Sequence, residues 1–338
     1  MLNCSFVSAV RSLQVLERHG YLLMVTVVMA VYNGADYLER QLESIAAQSY
    51  KDWRLVIRDD GSSDDTVKVL KDFAADYQDR VYILEDGEPS GSAKNNFAIL
   101  LEEVSDNEYV MCCDQDDIWM PDKIRVTLDK MLSAEKKFGK SCPVLVHGDV
   151  EVVDEDEDVI ADSMFSYSNI PPDSTLGQLL VQNNVTGCTM MMNRALISQA
   201  AQYLKGDKVI MHDYFAALYA KVFGCVCVVE KPLLKYRQHG DNSVGAKDTG
   251  SKGYLLGRLF EGKRQYARGM EISRRQAAFF LDCFGGRMLS EGKHDEHALI
   301  KEYAGLSDKG YLRRIYFYMR NGVWKHGMVR RIMQFLWG

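Results

Sequence analysis

The chain has 338 residues, 47% hydrophobic and 26% charged, which is ordinary globular composition with little room for a long disordered region. Its 47 acidic residues against 41 basic ones give a net charge of -6, so a dedicated nucleic-acid binder is disfavoured and no nucleic-acid partner is expected. The longest apolar stretch, Tyr21 to Tyr32, is shorter than the roughly 20 residues a membrane-spanning helix requires.

Residues 1–20 carry Arg11, Glu17, Arg18 and His19 and no continuous apolar core, so they make a poor signal peptide. Residues 1–23 are expected to be a dispensable extension. The eight cysteines include no C-x-x-C pair and several lie in apolar runs, which predicts buried reduced thiols and a cytoplasmic location.

From Val25 to about Leu132 strands and helices alternate. Val25–Val31 is too uniformly apolar for a half-exposed strand and predicts a buried parallel one. Asn33-Gly34 turns the chain into a helix over Asp36–Gln48 that puts Leu38, Leu42 and Ile45 on one face. Trp53–Ile57 predicts a second strand, ending in Arg58-Asp59-Asp60-Gly61. Ser62 with Asp65 three residues on resembles a capping box for the next helix. Val81–Leu84, Ala93–Glu103 and Tyr109–Cys113 predict a third strand, a helix and a fourth strand. Repeated β-α units demand parallel strands joined by right-handed crossovers.

Beyond Leu132 the pattern is mixed. Val144–Val153 and Val159–Phe165 predict strands around the acidic loop Asp154–Asp158, and a further strand is expected near Cys188–Met192. Val226–Val229 and Leu233–Arg237 read as two more strands, and from about Tyr254 the chain is helical and increasingly basic. The fold class is α/β, with a mostly parallel Rossmann-like half, a mixed second half and a helical C-terminal region.

In an open parallel sheet, ligands bind outside the carboxyl ends of the strands. Three polar signatures converge on that edge: Tyr32-Asn33-Gly34, Asp59-Asp60-Gly61 and Asp114-Gln115-Asp116-Asp117. The last crowds carboxylates into one turn, where they repel unless a cation compensates. A hard ion such as Mg²⁺ or Mn²⁺, bound through one or two carboxylates and substrate phosphates, suits that chemistry.

Together with Ser62-Ser63-Asp64-Asp65-Thr66 and Ile118-Trp119-Met120-Pro121-Asp122-Lys123, these segments resemble the inverting family 2 glycosyltransferases, which have the GT-A fold. The resemblance covers about Met24 to Gly245, and the Asp-Gln-Asp-Asp-x-Trp form is similar to the rhamnosyltransferase-like branch that builds bacterial O-antigen, capsule and exopolysaccharide. It implies a glycosyltransferase domain over residues 24–245, with a nucleotide-sugar half at 24–125 and an acceptor half at 126–245. Residues 246–338 would be a basic helical region.

The resemblance also implies roles. Ala30 and Tyr32 would line the nucleotide pocket, and Asp60 would accept the N3–H that uracil and thymine share. Lys94 would either neutralise the donor diphosphate or be solvated. Asp114 and Asp116 form the D-x-D, with Asp114 on the nucleotide sugar and Asp116 on the metal. Asp213, at a predicted helix start, would be the general base. His239, in Tyr236-Arg237-Gln238-His239-Gly240-Asp241-Asn242, would complete the metal sphere, touch the diphosphate or be structural. The implied donor is dTDP-rhamnose or a UDP-hexose, and the acceptor a lipid-linked glycan, with peripheral contact at the inner membrane. A sugar-1-phosphate nucleotidyltransferase is the main alternative, but it needs a glycine-rich, Arg-bearing loop where this chain has Tyr32-Asn33-Gly34. A non-catalytic nucleotide-sugar-binding relative is the other.

Overall fold

Val25–Val31 (β1) is buried on both faces, as its unbroken apolar run requires: Val25, Val27, Met29 and Val31 enter one core and Val28 the other. The computed structural model describes residues 23–240 and 252–338, with side chains from residue 263 in the second stretch. Residues 1–22, the boundary near 245 and Asn242 lie outside the described residues.

β1 pairs in parallel with Trp53–Asp59 (β2) and Tyr109–Cys113 (β4), and β2 pairs in parallel with Val81–Ile83 (β3). This is the expected Rossmann-like half. The remaining strands are Ile118–Trp119 (β5), Val144–Val153 (β6), Val159–Ala161 (β7), Met191–Asn193 (β8) and Cys225–Arg237 (β9). They extend the same sheet in the order β3-β2-β1-β4-β8-β6-β9-β5, with β7 on β6. β8 is antiparallel to both β4 and β6, whereas β6 and β9 are parallel, so the second half is mixed as expected.

Four local expectations are corrected. The strand predicted over Val159–Phe165 stops at Ala161, because Ser163 caps a short helix, Met164–Tyr167, by accepting the Ser166 N–H. The strand near Cys188–Met192 is a 3₁₀ turn at Gly187–Thr189 followed by β8. The two strands expected in 226–237 are one, β9. Its Pro232 has no N–H to donate and sits opposite Asp149, where the register with β6 shifts. The Ser62–Asp65 capping box does not form: Ser62 Oγ donates to Asp59, and Asp65 makes no side-chain cap to helix Thr66–Asp76.

The acidic loop folds on itself. Asp154 Oδ1 accepts the N–H groups of Asp156 and Asp158 at 3.0 and 2.9 Å, and Glu157 pairs with Arg40 and Lys235, each at 3.3 Å.

Each sheet face has its own core. One is covered by helices Ala35–Ala46 and Lys123–Phe138. The other is covered by Ala93–Glu103, His212–Phe223 and the C-terminal helices Lys252–Ser290, His294–Ala304 and Tyr311–Asn321, with Met328–Trp337 packed against Lys252–Ser290. Phe280 and Phe284 pack on Phe215 at ring distances of 5.7 and 6.2 Å, so the helical region is built into the sheet's own core. No helix among the described residues is long and apolar enough to cross a membrane. The seven described cysteines are all unpaired.

Candidate active site

The loop after β1 is held by side chains from its neighbours. The N–H groups of Asn33, Gly34 and Ala35 donate to Ser62 Oγ, Thr66 Oγ1 and Asp64 Oδ2 at 2.8, 2.8 and 3.1 Å. In return, Asn33, at a φ of 45°, accepts the Ser63 N–H at 2.8 Å. The hydroxyl and carboxylate residues that follow the second signature are therefore the clamps of the first. Gln115 adds a further clamp: its amide pairs with the Tyr32 peptide, accepting from the N–H at 2.8 Å and donating to the carbonyl at 3.1 Å.

Asp60 is held just as firmly. Its Oδ1 accepts from Arg58 Nη1 at 2.8 Å and from the Ser90 N–H, and its Oδ2 accepts the Gly91 N–H at 3.0 Å. Arg58 is itself buried and donates to Asp86, Asn96 and the Glu88 carbonyl. Burial opposes ionisation of Asp60, but the Ser90 and Arg58 contacts together outweigh it and hold the carboxyl below its ordinary range.

The acids after β4 point in different directions. Asp116 Oδ2 lies 2.8 Å from His239 Nε2, and its carbonyl accepts from Arg237 Nε at 3.1 Å. The end of β9 and the residues just after it thus grip Asp116 by both side chain and backbone. Tyr37 packs on His239 with ring centroids 4.6 Å apart, and the Arg237 guanidinium lies 5.1 Å from the same ring. Asp114, Asp117 and the Cys188 thiol have ligand atoms within 4.8 Å of one another. Asp117 is only 1% exposed; neither oxygen has a partner of normal geometry, and the Cys188 thiol is the polar group beside it. Burial first, then the charges of Asp116 and Asp213, push the Asp114 carboxyl up to about 7. Behind this group the buried Lys123 donates to the Cys188 carbonyl at 3.0 Å and lies 4.7 Å from the centre of the Trp119 ring.

Asp213 sits in the first turn of helix His212–Phe223, as expected, and is buried. Burial raises its carboxyl to about 7 against hydrogen bonds from the Tyr214 N–H, the Asn183 side chain and the Gly187 N–H. Its neighbour His212 stacks on Phe97 at 4.3 Å, and neither ring nitrogen has a partner; burial pushes that imidazole down to about 3. Gly187 has no substitute here, because a Cβ would stand 2.9 Å from His212 Nε2.

One cavity of about 1210 Å³ gathers Ala30, Tyr32, Asp60, Asp114, Asp116, Asp213 and His239. Tyr32 is 57% exposed at its mouth. Lys94 is not in its wall: Nζ donates to the carbonyls of Gly206 and Val209 at 2.9 and 3.2 Å, tying helix Ala93–Glu103 to the loop before Asp213. The cavity also brings in residues that sequence reasoning did not single out: Gln115, Asn183, His212, Lys325 and Arg330. Lys325 and Arg330 come from the far end of the chain, and no local pattern links them to the sheet edge. Gln115 lies inside the acidic signature, but its clamp on Tyr32 appears only once β1 and β4 are neighbours.

The residues at the cavity wall suit a hard divalent cation. Asp116 offers a carboxylate and His239 an imidazole 2.8 Å apart, and the like charges of Asp116 and Asp213, which add to burial in raising Asp114, are what a cation would offset.

The model of the family "Glycosyl transferase family 2" matches residues 26–199, which hold Tyr32, Asp60, Asp114 and Asp116 and end before Asp213 and His239. The chain belongs to that family. It is a glycosyltransferase, with the mixed α/β sheet and helical C-terminal region expected of a GT-A fold. It is 28% identical over 228 residues to the dTDP-rhamnosyl transferase RfbG of Shigella flexneri, covering 64% of this chain and 74% of that protein. It is 24% identical over 179 residues to WfgD of Escherichia coli, named as a UDP-Glc:alpha-D-GlcNAc-diphosphoundecaprenol beta-1,3-glucosyltransferase, covering 52% and 62% of the two chains. Among solved structures, TarS 1-349 of S. aureus is similar at a TM-score of 0.48 and 16% identity, over 89% of this chain and 88% of that one.

Proposed function

We propose that this family 2 transferase moves a sugar, with inversion, from a nucleoside-diphosphate donor to a hydroxyl of a lipid-linked oligosaccharide. The donor is dTDP-rhamnose or a UDP-hexose, and the product belongs to bacterial surface polysaccharide, matching the chemistry in the names of RfbG and WfgD. The observation that carries this reading is the buried Asp213 carboxylate in the same cavity as Asp114, Asp116 and His239.

A single carboxylate is enough for an inverting displacement. Asp213, ionised, takes the proton of the acceptor hydroxyl as that oxygen attacks the anomeric carbon. Its orientation is set by Asn183, the Gly187 N–H and the Tyr214 N–H. On the opposite side of the reacting carbon, Asp116 and His239 would hold Mg²⁺ or Mn²⁺, with Asp114 toward the nucleotide sugar. A bound divalent cation supplies charge neutralisation for the departing diphosphate. Ala30 and Tyr32 flank the base, and Asp60 receives its N3–H beside the Ser90 and Gly91 N–H groups it already accepts. A hydrolase would instead place two carboxylates across the bond.

The proposed division is a nucleotide-sugar half over residues 24–125, an acceptor half over 126–245 and a helical region over 246–338. The last is read as a peripheral contact with the cytoplasmic face of an anionic membrane. Residues 309–338 carry seven lysines and arginines and no acid. Leu312, Tyr316 and Met319, with Met328, Ile332, Phe335 and Leu336, are exposed on two adjoining helices, 80% for Leu312. Tyr311 joins those helices by donating to the Phe335 carbonyl at 2.8 Å. An apolar face ringed by cations suits anionic lipid.

The deciding experiment incubates the purified protein with Mn²⁺, a lipid-diphosphate-linked acceptor and dTDP-rhamnose or UDP-glucose. Acceptor-dependent release of nucleoside diphosphate and an inverted anomeric centre by NMR are expected. Retention of configuration, or release of pyrophosphate from a nucleoside triphosphate, would overturn the reading.

A further inference from the structure

Among the described residues, the charges of the cavity wall are segregated. Its acids, Asp36, Asp60, Asp114, Asp116 and Asp213, come from the sheet edge and the helices beside it. Among the described residues its fixed cations, Lys325 and Arg330, both come from the C-terminal region. Arg330 Nη1 donates to the carbonyls of Ser168 and Asn169 at 3.0 and 3.3 Å, and Lys325 Nζ lies 4.9 Å from the centre of the Tyr266 ring. The segment is anchored next to the reacting group. The His326 N–H donates to Gln182 Oε1 at 3.0 Å, and Gln182 precedes Asn183, whose side chain bonds Asp213. The local field is positive: burial and then the charges of Arg331 and Arg330 hold the His326 imidazole below its ordinary range.

We propose that Lys325 and Arg330 bind a phosphate or diphosphate group of the acceptor, the group that joins its glycan to the carrier. This rests on the reading of the chain as a transferase acting on a phosphate-linked acceptor. The donor's own diphosphate belongs at the acidic end, where a divalent cation compensates it, so cations at the other end serve a second anion. The cavity, at about 1210 Å³, exceeds the roughly 300–1,000 Å³ usual for one small-molecule ligand, which leaves space for both substrates. The same segment carries the exposed apolar residues Met328 and Ile332, so a lipid leaving the phosphate site has an apolar surface to follow.

The test is calorimetric titration of decyl diphosphate into the full chain held with saturating dTDP or UDP and Mn²⁺, so that the donor site is filled. Loss of a charge-assisted contact should weaken decyl diphosphate roughly tenfold in Lys325→Gln and in Arg330→Gln, with nucleotide affinity unchanged. Lys325→Arg, which keeps the charge, should stay within about threefold of the parent. Because Arg330 also holds Ser168 and Asn169, the Lys325→Gln and Lys325→Arg pair decides the matter if Arg330→Gln fails to fold. Competition by inorganic pyrophosphate would place recognition in the phosphates alone, and its failure would place it in the lipid-linked form; both keep the site. Unchanged decyl diphosphate affinity in Lys325→Gln, or equally tight binding of decyl glucoside, would overturn it. Absence of nucleotide binding would instead refute the donor assignment, and the decyl diphosphate titration remains readable without nucleotide.

Discussion

Gln115 stands where a side chain on Gly34 would have to go: a Cβ on Gly34 would lie 2.5 Å from the Gln115 Cδ and Oε1 atoms. Gly34 has a φ of -114°, which any residue can adopt, so it is the glutamine rather than the backbone that excludes a larger residue. The same amide holds the Tyr32 peptide, so the first and third signatures form one unit. Gly34→Ala should therefore cost about 1–3 kcal/mol of stability as an overpacked contact and loosen the nucleotide loop. In a Gln115→Ala background the same change should cost at least about 1 kcal/mol less, a coupling that urea unfolding of the four proteins measures. Additive costs would show that the crowding is relieved elsewhere.

Binding and chemistry should separate by residue. Asp116→Ala and His239→Ala are expected to weaken Mn²⁺-dependent binding of UDP or dTDP and to abolish transfer. Asp213→Asn keeps the shape but cannot take the acceptor proton, so donor affinity should hold while the rate falls about 10²- to 10⁴-fold. Calorimetry of the nucleotide beside a transfer assay reads both. Loss of nucleotide binding in Asp213→Asn with retention in Asp116→Ala would reverse the two roles.

How much of this was legible in the sequence depended on range. The parallel half was readable because its central strands β1 and β4 are apolar runs that each end in a polar signature, at Val25–Val31 and Tyr109–Cys113. The second half was harder. β9 is interrupted in sequence by Glu230-Lys231-Pro232, and only its neighbour β6, shifting register at Asp149, shows that the strand continues. The apparent Ser62–Asp65 cap failed for a similar reason: Ser62 and Asp64 bond to Asn33 and Ala35 across the loop, a partner choice that helix-local rules do not see. Lys325 and Arg330 were invisible as site residues because they reach the cavity through tertiary packing on Ser168, Asn169 and Tyr266.

The transfer rate should rise with pH through about 7. Asp213 acts only when ionised, and its carboxyl is raised by burial to about 7, with the nearby Asp114 of the same sign and the Asn183, Gly187 and Tyr214 donors opposing the rise. Stability moves the other way: a group protonated in the folded state but ionised in the unfolded chain loses stability as pH rises from 3.8 to about 7. Asp213→Asn should remove that loss, so its stability relative to the parent should grow by up to about 1 kcal/mol per pH unit across the window. The buried His147 and His212, lowered to about 4 and about 3, destabilise both proteins equally below about pH 6.5. Urea midpoints at several pH values give the difference; a constant offset would mean that Asp213 is already ionised in the folded protein well below pH 7.

The membrane contact is best tested by surface substitution. Truncation at the last basic segment would strip Ile315, Phe317, Tyr318 and Val323 from the core and unfold the face that covers the sheet. Leu312, Met319, Met328 and Ile332 carry no such burden; Met319 and Met328 are 67% and 78% exposed. Replacing all four by serine should leave the melting temperature and nucleotide binding within error. Each apolar side chain contributes about 1.5–3 kcal/mol when fully buried, so even partial insertion of four predicts a loss of at least tenfold in vesicle partitioning. The cations beside them, Arg313, Arg320 and Arg331, should make the parent's binding depend on anionic lipid and weaken with salt. Co-sedimentation with phosphatidylglycerol and phosphatidylcholine vesicles at low and high salt reads both effects. Undiminished sedimentation of the four-serine protein, or equal binding to neutral vesicles, would show that this face serves something other than an anionic membrane.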